Sequence, residues 1–179
     1  NFRGMEANRL LLVVDGIPLN NAIYRSGHLQ SASTINPFFV EKVSLLSGPV
    51  SVAYGNGAMG GALLFHTKSN LFKENFLQIH QQYESATNAV MFNFLSNYRT
   101  RKIAFTSGFS IKSVGNLKMG ENRLHGYENW GKDTFSSKGK EQLFTSYQQA
   151  DFMHKTHYAI NELNSLTLNT QYSISSDIS

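Results

Sequence analysis

The chain has 179 residues, no cysteine, 41% hydrophobic and 16% charged residues, and a formal net charge of +4. Without cysteine there are no disulfides, thiolate metal sites or cysteine nucleophiles, and no apolar run approaches the ~18 residues of a membrane-spanning helix. Soluble domains carry about 25% charged residues; here Asn, Gln, Ser and Thr fill the gap, which suits one greasy face and one polar, uncharged face. Lys and Arg are scattered, so the basic balance reads as a solvated surface and no nucleic-acid partner is expected. No signal peptide is visible, and the start at Arg3-Gly4, just ahead of a hydrophobic strand, reads as a cut.

In chain order, Arg9 to Val14 is an apolar run ended by Asp15-Gly16, a strand followed by a turn. Asn20 to Ser33 is polar and reads as a long loop. Pro37 to Val40 has room for one helical turn. Val40 to Leu46 alternates as a strand does, and Ser47-Gly48-Pro49 breaks it. Gly55 to Gly61 is a glycine-dense turn, and Ala62 to Thr67 is a short strand. Residues 1–70 are therefore expected to form a small mixed α/β unit with strands near 10–14, 40–46 and 62–67.

From residue 75 the texture changes to long alternating segments at 75–84, 88–98, 102–112, 143–158 and 165–175. Successive strand side chains point to opposite faces. One face then collects Leu77, Ile79 and Tyr83, then Val90, Phe92, Phe94 and Tyr98. It continues with Ile103, Phe105, Phe109 and Ile111, then Leu168, Tyr172 and Ile174. The other face holds Gln78, His80, Asn93, Asn97, Thr106, Ser110, Asn169 and Gln171; the fourth segment is noisier. A tilted transmembrane strand needs ~9–11 residues, whereas ordinary strands have a mode near ~5–6. The links near 98–101 and 161–164 are short and that from Ser113 to Gln142 is long, as in outer-membrane barrels with short periplasmic turns and long outer loops. Residues 71–179 are thus expected to be an antiparallel β-meander belonging to an incomplete transmembrane β-barrel. The chain as a whole reads as mainly β.

Chemical motifs are weak. Gly55-Asn56-Gly57-Ala58-Met59-Gly60 matches a dinucleotide fingerprint, but a strand rather than the required helix is expected next. His154 and His157, three apart in a strand, point to opposite faces and cannot share an ion. Asp15, His28 and Ser47 have the residue types of a hydrolase triad, yet no serine lies in a nucleophile elbow. No catalytic residue, metal site or cofactor is expected.

Three blocks then carry a resemblance. They are Arg3-Gly4 followed by Asn8 to Leu19, Val40 to Pro49, and Tyr54 to Gly61 running on to Thr67-Lys68. In this order, followed by alternating strands, they resemble the later plug domain and first barrel strands of TonB-dependent outer-membrane receptors. The resemblance implies a Gram-negative outer-membrane location, lipid contact, a barrel of about 22 strands filled by the plug, and TonB as a partner through a segment absent from this chain. It implies active transport of a scarce nutrient of the ferric siderophore, haem or cobalamin class. It assigns Arg3 and Glu41 to an ion cluster between plug and barrel wall; many members have arginine where this chain has Ser47, so one usual charge is missing. Candidate substrate-binding residues are Tyr24, Arg25, His28 and Gln30 in the plug loop and His125, Tyr127 and Trp130 in the long outer loop. The competing expectation is a soluble or surface-exposed all-β binding or adhesion module, which explains the alternation but not the ordered plug blocks.

Overall fold

The computed structural model describes residues 10–19, 35–47, 53–54, 61–69, 74–120 and 132–177. The chain divides into two compact units, Asn1–Ser69 and Asn70–Ser179.

The first unit holds a four-stranded sheet in the order β2-β1-β4-β3, built from β1 (Leu10–Val14), β2 (Ile17–Pro18), β3 (Val40–Leu46) and β4 (Gly61–Thr67). The three longer strands fall where the apolar segments put them. β1 runs parallel to β4 and is buried along Leu11 to Val14, as expected of a central parallel strand covered on both faces. Leu11, Val13, Ala62 and Leu64 make the core, with Leu46 and Tyr54 packed on it. The single helical turn forms at Pro37–Phe39, capped by Asn36, whose Oδ1 accepts the Phe38 N–H at 2.9 Å.

The β1–β2 hairpin turns at Asp15 (φ 49) and Gly16 (φ 85). Left-handed φ at both central residues matches the twist of the flanking strands, which is why Asp-Gly is favoured there. The turn also fixes the sheet: Thr67 donates its N–H (2.9 Å) and its hydroxyl (2.5 Å) to the two carboxylate oxygens of Asp15. Asp15→Ala removes both acceptors and is expected to destabilise this unit by about 1–3 kcal/mol. Urea unfolding followed by a probe placed in this unit checks it; an unchanged midpoint would show the contact to be idle.

The second unit is a five-stranded antiparallel sheet in the order β12-β11-β7-β6-β5, from β5 (Phe76–Glu84), β6 (Ala89–Arg99), β7 (Ile103–Val114), β11 (Tyr147–Ala159) and β12 (Ser165–Ser175). Neighbours in the sheet follow chain order once the small sheet between β7 and β11 is set aside, so the meander is as expected. β7 runs two residues past its expected end. β11 starts later than expected because Phe144 takes a left-handed φ of 60, which strand pairing does not accept.

The long link is not structureless. It carries a three-stranded sheet of β8 (Leu117–Lys118), β9 (Ser137–Lys138) and β10 (Glu141–Gln142), in the order β8-β10-β9. Its start is pinned to the β5–β6 turn by the Gly115 N–H on the Thr87 carbonyl (2.8 Å) and the Lys118 N–H on the Ala86 carbonyl (2.7 Å). A Cβ on Gly115 would lie 2.8 Å from that Thr87 oxygen, so only glycine allows this approach.

Candidate functional site

In the meander, the register places directly paired residues on a common face. Ile79, Phe94, Phe109, Phe152 and Tyr172 form one row across all five strands. Beside it, Phe92 pairs with Ile111, and Ile111 continues through Ala150 to Ile174. These large apolar side chains are exposed: Tyr172 at 61%, Ile79 at 60%, Phe109 at 39%. The opposite face is polar, and it is buried on the central strands β6, β7 and β11. Asn93, Ser110, Asp151 and Ser173 form one row, and Asn97, Thr106, Lys155 and Asn169 another; Asn93, Asn97, Thr106, Ser110, Asp151 and Lys155 are all buried. Between the two lies Leu95, Gly108 and Met153, with Leu95 fully buried.

This is the inverse of a water-soluble sheet, whose apolar side would be the covered one. The apolar face is the expected set of residues on β5, β6, β7 and β12, and its exposure tells against the soluble binding module. It fits a barrel wall with lipid outside and a polar lumen inside.

On the central strands, buried polar side chains pair with one another, as burial favours. The Ser110 hydroxyl donates to Asn93 Oδ1 (2.7 Å) and that of Thr106 to Asn97 Oδ1 (3.0 Å). Asp151 Oδ1 accepts from the Ser173 hydroxyl (2.7 Å) and the Gln149 amide (2.9 Å). Asp151 and Lys155, which sequence reasoning missed, are the buried charges of this face; the alternation of β11 is blurred by Gln148, His154 and Thr156, which share the apolar face with Phe152. His154 lies on the exposed face and His157 on the other, by strand alternation. His154 stacks against Phe105 and Phe152 and bonds the hydroxyls of Ser107 (2.8 Å) and Thr156 (3.0 Å).

Of the sequence-derived site residues, Glu41 alone lies among the described ones. It sits in β3 where the register to β4 shifts between Val40 and Lys42, a bulge that re-aims local side chains. Its charge acts on Lys68, whose ammonium sits 4.4 Å from the centre of the Phe38 ring. Burial holds Lys68 below the usual lysine range, and Glu41 opposes that shift. A lysine whose folded pKa is depressed binds fewer protons folded than unfolded, so its contribution to stability rises as pH climbs from the folded value to the ordinary one. Glu41→Gln should therefore lower the Lys68 pKa further, checked by lysine-selective NMR titration of the receptor; a rise would refute the coupling. Arg3, Tyr24, Arg25, His28, Gln30, His125, Tyr127 and Trp130 lie outside the described residues, as do Gly55 to Gly60.

The strand at Gly61–Thr67 stands where a nucleotide site needs a helix. Asp15 is bound to Thr67, and Ser47 is exposed. No group of three His, Asp or Glu suited to a metal ion occurs among the described residues.

With this geometry in view, the comparisons are consistent. The family description TonB-dependent Receptor Plug Domain matches residues 1–62. Over nearly the whole length the chain is similar to the vitamin B12 transporter BtuB of Vibrio vulnificus, 28% identical over 183 residues, covering 96% of this chain and 29% of that protein. It is also similar to the heme/hemopexin utilization protein C of Haemophilus influenzae, 31% identical over 94 residues, covering 49% of this chain and 13% of that protein. In fold it matches the FrpB iron transporter of Neisseria meningitidis with a TM-score of 0.67 at 14% identity, covering 92% of this chain and 24% of that one. Residues 1–62 are thus similar to a TonB-dependent receptor plug domain, and the chain shares the fold of the matching part of that iron transporter. It spans less than a third of the length of these relatives.

Proposed function

We propose that the full receptor containing these residues imports a scarce nutrient across a Gram-negative outer membrane, with residues 1–70 as plug and 71–179 as barrel wall. The observation that carries this reading is the sheet with its apolar face exposed, following a plug-type segment. The cargo class is a ferric siderophore, haem or a cobalamin, the classes named for the relatives. TonB, engaged through a segment outside this chain, supplies the energy, and the exposed apolar face meets lipid. Arg3 and Glu41 belong to the plug–barrel ion cluster.

Tyr24, Arg25, His28 and Gln30 form the cargo-facing part of the plug loop, and His125, Tyr127 and Trp130 its counterpart in the outer loop. The plug loop is longer than a connection needs, and loops on a rigid scaffold are common binding sites. Arg25 offers a permanent charge to the carboxylates of haem or to an anionic ferric siderophore. Arg25→Ala is expected to cost about 1.5–3 kcal/mol of binding if the contact is buried, roughly tenfold or more in affinity. The test is uptake under iron, haem or cobalamin limitation in a strain carrying the full-length gene, with binding titrations of Arg25→Ala and Tyr24→Ala. Uptake of none of the three would remove the transport reading; unchanged affinity in both variants would return the loop to a packing role.

A further inference from the structure

The apolar face of the meander ends in a compact polar group at the end that bears the long link. Tyr83 is the last outward residue of β5 and pairs with Val90 in β6, from which the apolar face runs down through Phe92 and Phe94; on β5 itself Gln81 stands between Tyr83 and Ile79. It is 64% exposed. The next turn places Asn88 in the left-handed region (φ 46), and its Oδ1 accepts two hydrogen bonds, from the Tyr83 hydroxyl (3.1 Å) and from the Lys118 ammonium (3.0 Å). A cation, a phenol and an amide thus meet at the rim of a greasy wall.

Lys118 is held there rather than waving in solvent, because its own N–H and that of Gly115 bind the β5–β6 turn. An ammonium has three donors, and Asn88 takes one. The charges around it are few. Glu141 in β10 is the cross-strand partner of both Lys118 and Lys138, so this face of the small sheet carries two ammonium groups and one carboxylate. Glu84, at the end of β5, alternates onto the opposite face from Tyr83. Among the described residues the rim stays positive.

We propose that the Lys118 ammonium and the Asn88 side-chain N–H bind the phosphate of an outer-leaflet glycolipid of the lipid A type, with the Tyr83 hydroxyl holding Asn88 in place and the acyl chains lying along Ile79, Phe92 and Phe94. This rests on the outer-membrane reading above. A phosphate suits an ammonium, since charge-assisted hydrogen bonds are the strong ones, and tyrosine favours the level where apolar chain gives way to headgroup. The continuity of the apolar face with the cation selects a lipid over free phosphate, which would gain nothing from Ile79 or Phe92.

The test uses the full-length receptor purified in mild detergent, with bound lipid counted by native mass spectrometry after titration with bisphosphorylated lipid A. Folding of each variant is verified by the mobility shift of unheated samples. Lys118→Ala should reduce bound lipid about fivefold, the usual worth of one lysine near an anionic surface. Lys118→Arg should retain it, Tyr83→Phe should weaken it less, and Lys138→Ala should leave it unchanged. Dephosphorylated lipid A should bind the wild type no better than phosphorylated lipid binds Lys118→Ala. Equal retention by Lys118→Ala and wild type would overturn the proposal, as would displacement of the lipid by millimolar inorganic phosphate. Lipid retention is read on folded receptor without cargo, so failed nutrient uptake by the wild type would count against transport alone.

Discussion

Replacing Phe109 by arginine is expected to destabilise the lipid-embedded receptor by about 2–4 kcal/mol, the cost of a cation on the outer face of a barrel near the bilayer midplane. Phe109 is suited to the experiment because it lies near the middle of β7, within the row that crosses all five strands, and is 39% exposed. Exposure in water would predict a tolerant site, since surface substitutions fall within about ±0.5 kcal/mol. Exposure to lipid predicts the opposite. Urea titrations of the full-length receptor refolded into phospholipid vesicles would separate the two. Ile79→Arg at the outer strand and Phe152→Arg at β11 should behave alike. A change below about 0.5 kcal/mol in all three would return the chain to the soluble adhesion reading.

The second large effect is expected on the opposite face. Leu95 is fully buried, with Gly108 of β7 directly beside it and Met153 of β11 beyond the glycine. The glycine leaves the space that the two long side chains occupy. Leu95→Ala would open a cavity flanked by the Asn93–Ser110 and Asn97–Thr106 hydrogen bonds, at an expected cost of about 2–5 kcal/mol. Leu77→Ala, at a 63% exposed position on the apolar face, should cost far less in the same vesicle assay. A larger cost for Leu77→Ala than for Leu95→Ala would mean that the assignment of inner and outer faces is reversed.

The long strands were legible because period-2 patterning of Phe, Ile, Leu and Tyr against Asn, Thr and Ser survives along nine or more residues. It could not say which face is covered, since a soluble sandwich alternates in the same way; only the exposure of Phe109 and Tyr172 beside the burial of Asn97 and Thr106 decides that. β2 and the strands of the small sheet are two residues long, too short to carry a period. Leu95 and Met153 escaped notice because they interrupt a polar face, and Asp151 and Lys155 because Gln148, His154 and Thr156 on the apolar face blur the alternation of β11. The candidate cargo residues, from Tyr24 to Gln30 and from His125 to Trp130, lie in segments without periodicity. There, residue chemistry suggests a role but tertiary context sets the position. Lys118 shows the same limit: its meeting with Asn88 and Tyr83 depends on the close approach that Gly115 allows, and no spacing in the sequence announces it.

The parallel pairing of β1 with β4 bears on the order in which the two units acquire structure. Asp15 and Thr67, which close that pair, are 52 residues apart in the chain. The hairpins of the meander join strands separated by a few turn residues. Loop closure costs entropy that grows with the logarithm of the loop, and contacts distant in sequence slow the approach to the native state. A single hairpin forms in about 1–10 μs, whereas β1, beyond its short pairing of Val13 and Val14 with β2, gains its long partner only when the chain has delivered Gly61 to Thr67. A pulse of hydrogen exchange during refolding should therefore protect the amides of β6 and β7 before those of Leu11 to Val14, even though the latter come earlier in the chain.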